Sequence, residues 1–112
     1  MPTVGFDDFL AIDIRVGVVQ KAQRLEGARR PAIQLWIDFG AEIGIKKSSA
    51  QITDHYTPET LVGRQVLAVV NFPPKQIGHF MSEVLVLGVN DSEGRVVLVE
   101  PALPVPPGQR LH

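Results

Sequence analysis

The chain has 112 residues, a formal net charge of −1, 45% hydrophobic and 21% charged residues, and no cysteine. That is the size of one compact domain with an ordinary globular composition. It excludes disulfides and thiolate metal sites and argues against nucleic-acid binding driven by bulk charge alone. The charge is unevenly placed, however: residues 1–13 sum to −3, residues 14–80 to +4 and residues 81–112 to −2. The apolar runs are too short to span a bilayer, so no membrane insertion is expected. The first residues lack the basic start and apolar stretch of a signal peptide, so a cytoplasmic location is expected.

Phe6, Phe9 and Leu10 fall at i, i+3, i+4, the spacing of one helical face, with Asp7 and Asp8 suited to a first turn. So short a helix needs apolar cover from elsewhere. Residues 12–23 follow, with Ile12, Ile14, Val16 and Val18 alternating against Asp13, Arg15 and Gly17, the period of a strand. A mid-strand Gly17 marks a bulge or a bend at a barrel corner. After a Gly- and Pro-containing loop at 25–31, residues 32–39 alternate again. Ile33, Leu35, Ile37 and Phe39 point one way, and Gln34, Trp36 and Asp38 the other. Gly40 and Gly44 bracket a turn, and residues 45–52 form a strand with a polar middle. Thr57-Pro58-Glu59 reads as a capped helix start that Gly63 ends.

Residues 66–70 and 84–89 are apolar on successive positions rather than alternating. Strands of that kind are covered on both faces, by the core on one side and by helices or a second subunit on the other. This makes Val66, Val70, Val84 and Val86, with Phe6 and Phe9, candidates for a dimer interface. The segment 90–94 is a turn, and 95–99 completes a hairpin with 84–89. The proline-rich tail 101–112 reads as extended along the surface or across a partner. The result is an all-β chain with short helices, forming one domain over residues 1–112. The best fit is a five-stranded Greek-key barrel of the OB type, with a helix between the third and fourth strands, an N-terminal helix and a C-terminal extension.

The constellations of an enzyme are missing. His55, His79 and His112 have no metal-ligand spacing, Gly40 and Gly44 match no phosphate loop, and no serine has an evident base. Neither a cofactor nor a metal nor catalysis is expected. Binding is. The segment 71–83, between two stiff apolar runs, holds Asn71, two prolines, Lys75, Gln76, His79, Met81, Ser82 and Glu83. This is how a rigid scaffold presents a functional loop. Lys46, Lys47, Ser48, Ser49 and Gln51 combine point charges with hydrogen-bonding groups suited to phosphate or ribose. Taken alone, they equally suit a solvated edge strand. Arg15 fits either a basic face or a bridge to Asp13 or Glu83, whereas Arg29-Arg30 reads as plain loop charge. Phe80 and Met81 suit either the core or a ligand.

Three blocks carry a resemblance: Asp13-Ile14-Arg15-Val16-Gly17, then Asn71-Phe72-Pro73-Pro74-Lys75-Gln76-Ile77 with Met81-Ser82-Glu83, and finally Pro106-Pro107-Gly108. The chain resembles the tRNA-binding domain family of OB-folds, over nearly its whole length. It is most similar to the CsaA-type secretion chaperones in Leu35 through Gly40, Ile43 through Ile52 and Phe80 through Gly88. One departure stands out. The family pattern has glycine directly before Phe80, where this chain has His79, with Gly78 one place earlier. The resemblance implies a homodimer that binds tRNA by shape and without chemistry. It also implies a possible second role as a chaperone for unfolded precursor proteins. By position, Arg15, Lys46, Lys47, Lys75, Gln76, Ser82 and Glu83 would line the RNA surface, joined by Ser48 and Gln51. Glu83 would orient Arg15 or Lys75. His79, Phe80 and Met81 would form a peptide or ligand pocket. The competing readings are a peptide-binding chaperone whose tRNA binding is incidental and, more distantly, a small-molecule enzyme.

Overall fold

The computed structural model describes residues 1–27 and 29–112. Its elements are α1 (Phe6–Leu10), β1 (Ile14–Arg24), β2 (Ile33–Asp38), α2 (Gly40–Ile43), β3 (Ile45–Ala50), α3 (Pro58–Leu61), β4 (Gln65–Val69), β5 (Lys75–Ile77), β6 (Phe80–Ser82), β7 (Leu85–Val86), β8 (Gly88–Asn90) and β9 (Val96–Leu98). Five strands form an antiparallel sheet in the order β3-β2-β1-β4-β7, and two hairpins, β5-β6 and β8-β9, extend from it. The sheet curls into a nearly closed barrel with α3 between β3 and β4. This is the OB architecture that the sequence predicts.

The eleven-residue β1 makes the curl possible. Its first half pairs with β4 and its second half with β2, and the register breaks between Val19 and Lys21. Gly17 is not the bulge. A Cβ there would collide with the Ile37 side chain and lie 2.8 Å from the Phe39 ring. Glycine is thus required by the close crossing of β2 inside the barrel. The alternation of β2 decides the core: Ile33, Leu35 and Ile37 are wholly buried, and Phe39 nearly so. Each such side chain contributes about 1.5–3 kcal/mol of transfer free energy. In α3, Thr57 accepts the Thr60 N–H (3.3 Å) and Gly63 turns the chain at φ 88°. Leu61, the one buried residue of α3, joins the core.

Two expectations change. Residues 66–69 are buried on both faces within a single chain, so their apolar character requires no partner. Val66 (0% exposed) and Val84 (5%) belong to the core and offer no area to a second subunit. Val70 and Val86 are half-buried against that core. The run 84–89 is not one doubly covered strand. It splits into β7 and β8, with Leu85 and Val89 exposed. The tail, in turn, lies along its own β1. The Val16 N–H donates to the Gln109 carbonyl (2.9 Å), Gly108 N–H to the Val16 carbonyl (2.7 Å) and Leu111 N–H to the Ile14 carbonyl (2.8 Å). It thereby pairs the β1 edge opposite β4. Helix α1, by contrast, buries no residue, and Phe6 is 71% exposed. No helix among the described residues is long and apolar enough to cross a membrane.

Candidate nucleic-acid interface

The sheet leaves β3 and β7 as its two ends, and the segment 82–84 closes the gap between them. The Glu83 N–H donates to the Lys47 carbonyl (2.7 Å) and the Lys47 N–H returns a bond to Glu83 Oε1 (2.9 Å). The Ser49 N–H donates to Ser82 Oγ (3.1 Å), and the buried Ser48 Oγ donates to the Val84 carbonyl (3.0 Å). Side chains here satisfy backbone groups on an edge that no regular strand completes. Three expected RNA ligands, Ser48, Ser82 and Glu83, are therefore engaged in a seam. Ser48 is 1% exposed and out of reach of any ligand. Glu83 holds the Lys47 backbone rather than orienting Arg15 or Lys75.

Beside the seam lies a cleft of about 1080 Å³. The loop between β1 and β2 contributes Arg29 and Arg30, β3 and its continuation contribute Ser49 and Gln51, and the segment after β4 contributes Phe72, Lys75 and Ile77. Ser82, Glu83, Val84 and Leu85 complete it. It thus unites Gln51, Lys75, Ser82 and Glu83 of the expected set. Lys46, Lys47 and Gln76 do not line it. The Lys47 ammonium sits 5.3 Å from the Phe80 ring, and the Gln76 amide donates to the Gly78 carbonyl (3.0 Å) across its own turn. Arg29, Arg30 and Phe72 also line the cleft and were not among the expected binding residues. Their signal lay in topology, because the loops after the first and fourth strands flank the face that OB barrels use for oligonucleotides.

Arg15 stands apart from the cleft. Its Nε donates to Asp13 Oδ1 (2.6 Å) and its Nη1 to the Gly108 carbonyl (3.0 Å), so it fastens the tail to β1. The bond from Arg15 holds the Asp13 carboxyl below its ordinary range, against the opposing effect of burial. Arg110 reinforces the group at 3.5 Å from Asp13.

The expected pocket of His79, Phe80 and Met81 does not form as one site. Phe80 is 7% exposed and packs edge-on against Trp36 at 5.8 Å, so its ring has no free face for a ligand. Met81 is exposed opposite Gln76. Gly78 and His79 are the two turn residues of the β5-β6 hairpin. Gly78 has φ 61° while His79 has no positive φ. Glycine at the first central position, followed by an ordinary residue, is the pattern of a type II′ turn. The shifted glycine therefore still closes the hairpin and places His79 at its tip, facing a shallow depression shared with Arg24 and Gln34. Among the described residues no cluster of three or more His, Cys, Asp or Glu could hold a metal ion.

Residues 14–110 match the family model described as "Putative tRNA binding domain". The fold is similar to a crystal structure of chaperone CsaA from Bacillus anthracis, with 51% identity and a TM-score of 0.92, covering 99% of this chain and 100% of that one. A CsaA chaperone protein from Picrophilus torridus is similar at 45% identity and a TM-score of 0.92, covering 98% and 100%. The methionine–tRNA ligase of Porphyromonas gingivalis is 35% identical over 108 residues, 96% of this chain but 15% of the ligase. The chain thus spans about 15% of the length of such curated relatives. With the family model covering the barrel and the tail strap as far as Arg110, the chain belongs to the tRNA-binding domain family and has the CsaA-type OB-fold.

Proposed function

We propose that this chain binds tRNA without chemistry, as one OB-fold unit over residues 1–112 acting in the cytoplasm. The observation that carries the reading is the state of the cations around the cleft. Among the described residues the three cleft cations, Arg29, Arg30 and Lys75, make no ion pair, and neither do Lys21, Arg24, Lys46 and Lys47 outside it, whereas Arg15, Arg64, Arg95 and Arg110 each face a carboxylate. Arg29, Arg30 and Lys75, gathered in one cleft of a chain of net charge −1, are what local phosphate neutralisation needs. Membership of the family and the likeness to a segment of methionine–tRNA ligases support tRNA as the partner.

Contact with roughly four to six phosphates gives a log–log salt slope of several units. Lys75→Ala and Lys46→Ala are expected to weaken tRNA binding, in titrations across salt concentration, while leaving the fold intact. A flat salt response, or two variants that bind like wild type, would overturn the electrostatic reading. A flat response together with binding of unfolded precursor protein would favour the second reading, a CsaA-like chaperone. Exposed Phe72 and Leu85 in the cleft favour that role as an addition to RNA binding. The proposal includes a homodimer built on α1, where Phe6 is largely exposed, Phe9 packs beside it with tilted rings 6.1 Å apart and Leu10 is 45% exposed. Light scattering at about twice the 12.3 kDa chain mass is the expected result, and a clean monomer would remove it.

A further inference from the structure

The cleft is not built like a surface for double-stranded RNA. An A-form helix presents phosphates and sugars on a convex surface and keeps its base faces stacked out of reach. The cations that line it would suit that surface, but the exposed apolar side chains among them would not. Phe72 is 45% and Leu85 49% exposed, and both line the concavity. A duplex would meet them with its sugar-phosphate surface and offer no base face to either.

We propose that the cleft between the β1–β2 loop and the segment after β4 takes unpaired nucleotides of an RNA, with one base stacked on Phe72. This rests on the tRNA-binding reading and narrows it to single-stranded stretches of the molecule. Every base has a π-face, so a single exposed ring serves any base. Arg29, Arg30 and Lys75 then hold the phosphates on either side. Gln51 is exposed and makes no side-chain hydrogen bond among the described residues, so its amide can offer donors and an acceptor to a base edge. A cavity of about 1080 Å³ is at the upper end of small-ligand sites, which run from about 300 to 1,000 Å³. It has room for a short strand rather than a lone nucleotide. The alternative occupant, an extended acidic peptide, would use the same cations but has no need of an aromatic face.

Fluorescence anisotropy with the full chain tests this. The probes are a single-stranded RNA of about 12 nucleotides, within the site size of an OB-fold, a blunt duplex of the same sequence, and a whole tRNA. The single strand is expected to bind at least about tenfold more tightly than the duplex. Phe72→Ala is expected to weaken single-strand and tRNA binding by about tenfold, the scale of one lost stacking contact, and to leave duplex binding unchanged. Phe72→Tyr should restore wild-type affinity, because the ring face returns. Equal affinity for strand and duplex, or Phe72→Ala within about twofold of wild type while tRNA still binds, overturns this inference and leaves the tRNA reading standing. Absence of binding by all three RNAs at low salt overturns both, as does Phe72-dependent binding of an acidic peptide in their place.

Discussion

Two sides of the molecule use their cations differently. On the tail side, Arg15 and Arg110 converge on Asp13, Arg64 faces Glu100, and Arg95 faces Asp91 and Glu93. Arg15 and Arg110 join the tail to the start of β1, Arg64 ties the entry of β4 to the residues after β9, and Arg95 pins the turn between β8 and β9. On the cleft side Arg29, Arg30 and Lys75 line a cavity and form no such pair among the described residues. A cation spent on an internal carboxylate and a carbonyl, as Arg15 is, must give up those partners to meet a phosphate. A free one surrenders only water. The resemblance put Arg15 on the RNA surface, but it is bonded to Asp13 and Gly108, while Arg29-Arg30, read as plain loop charge, line the cleft. The polar residues of the loop divide in the same way, with Ser82 and Glu83 committed to the seam and Lys75 left open.

The strongest way to break this comparison is Glu83→Ala. It leaves the half-buried Lys47 N–H without its acceptor, a loss of about 1–3 kcal/mol. Denaturant unfolding should show the lower midpoint, and amide exchange should be fastest along β3. RNA affinity, measured where the variant is folded, should stay close to wild type. A variant of full stability that has lost RNA binding would make Glu83 a ligand and the seam incidental.

The opposite side is probed by Arg29→Ala with Arg30→Ala. Both side chains are exposed in a loop, so stability should change by less than about 0.5 kcal/mol. Affinity for tRNA should fall at low salt, and the salt slope should drop by about two, one for each lost phosphate contact. An unchanged slope would return this pair to plain loop charge and leave Lys75 as the only cleft cation with a claim on RNA.

How much of this was legible depended on the range of the interactions. The period-two pattern of Ile33, Leu35, Ile37 and Phe39 stated the inner face of β2 outright, because side-chain direction in a strand is local. Thr57, Pro58 and Gly63 stated the bounds of α3 for the same reason. The run 84–89 misled because hydrophobicity alone does not reveal where a chain changes partners. Leu85 and Val86 pair with β4, and Gly88 through Asn90 with β9. The seam was invisible because it joins residues 33 to 36 apart through side chain-to-backbone bonds, for which no sequence pattern exists. Part of the segment 71–83 lines the cleft, but which of its polar groups remain free is decided by neighbours that only the fold supplies. His79 shows the reverse case. Its displaced glycine looked like a disruption, yet local turn chemistry absorbs it.

The smallest effect belongs to the paired arginines and appears in acid. Backbone N–H donation from Arg95, the His55 ring at 2.8 Å and the Glu93 N–H hold the Asp91 carboxyl at about 2. Asp13 is lowered chiefly by its bond from Arg15. Folding favours the charged form of both, so their stabilisation is complete above the unfolded carboxylate value near 3.9. It is lost as pH falls toward about 2. Thermal midpoints taken between about pH 5 and pH 2 should therefore decline for wild type. The decline should be shallower for Asp91→Asn, which has no charge there to lose. At neutral pH the same variant should bind tRNA like wild type, since Asp91 serves the hairpin turn and not the cleft. Equal acid slopes would show that the turn does not depend on this carboxylate, and weakened tRNA binding would extend the interface to the side where the arginines are paired.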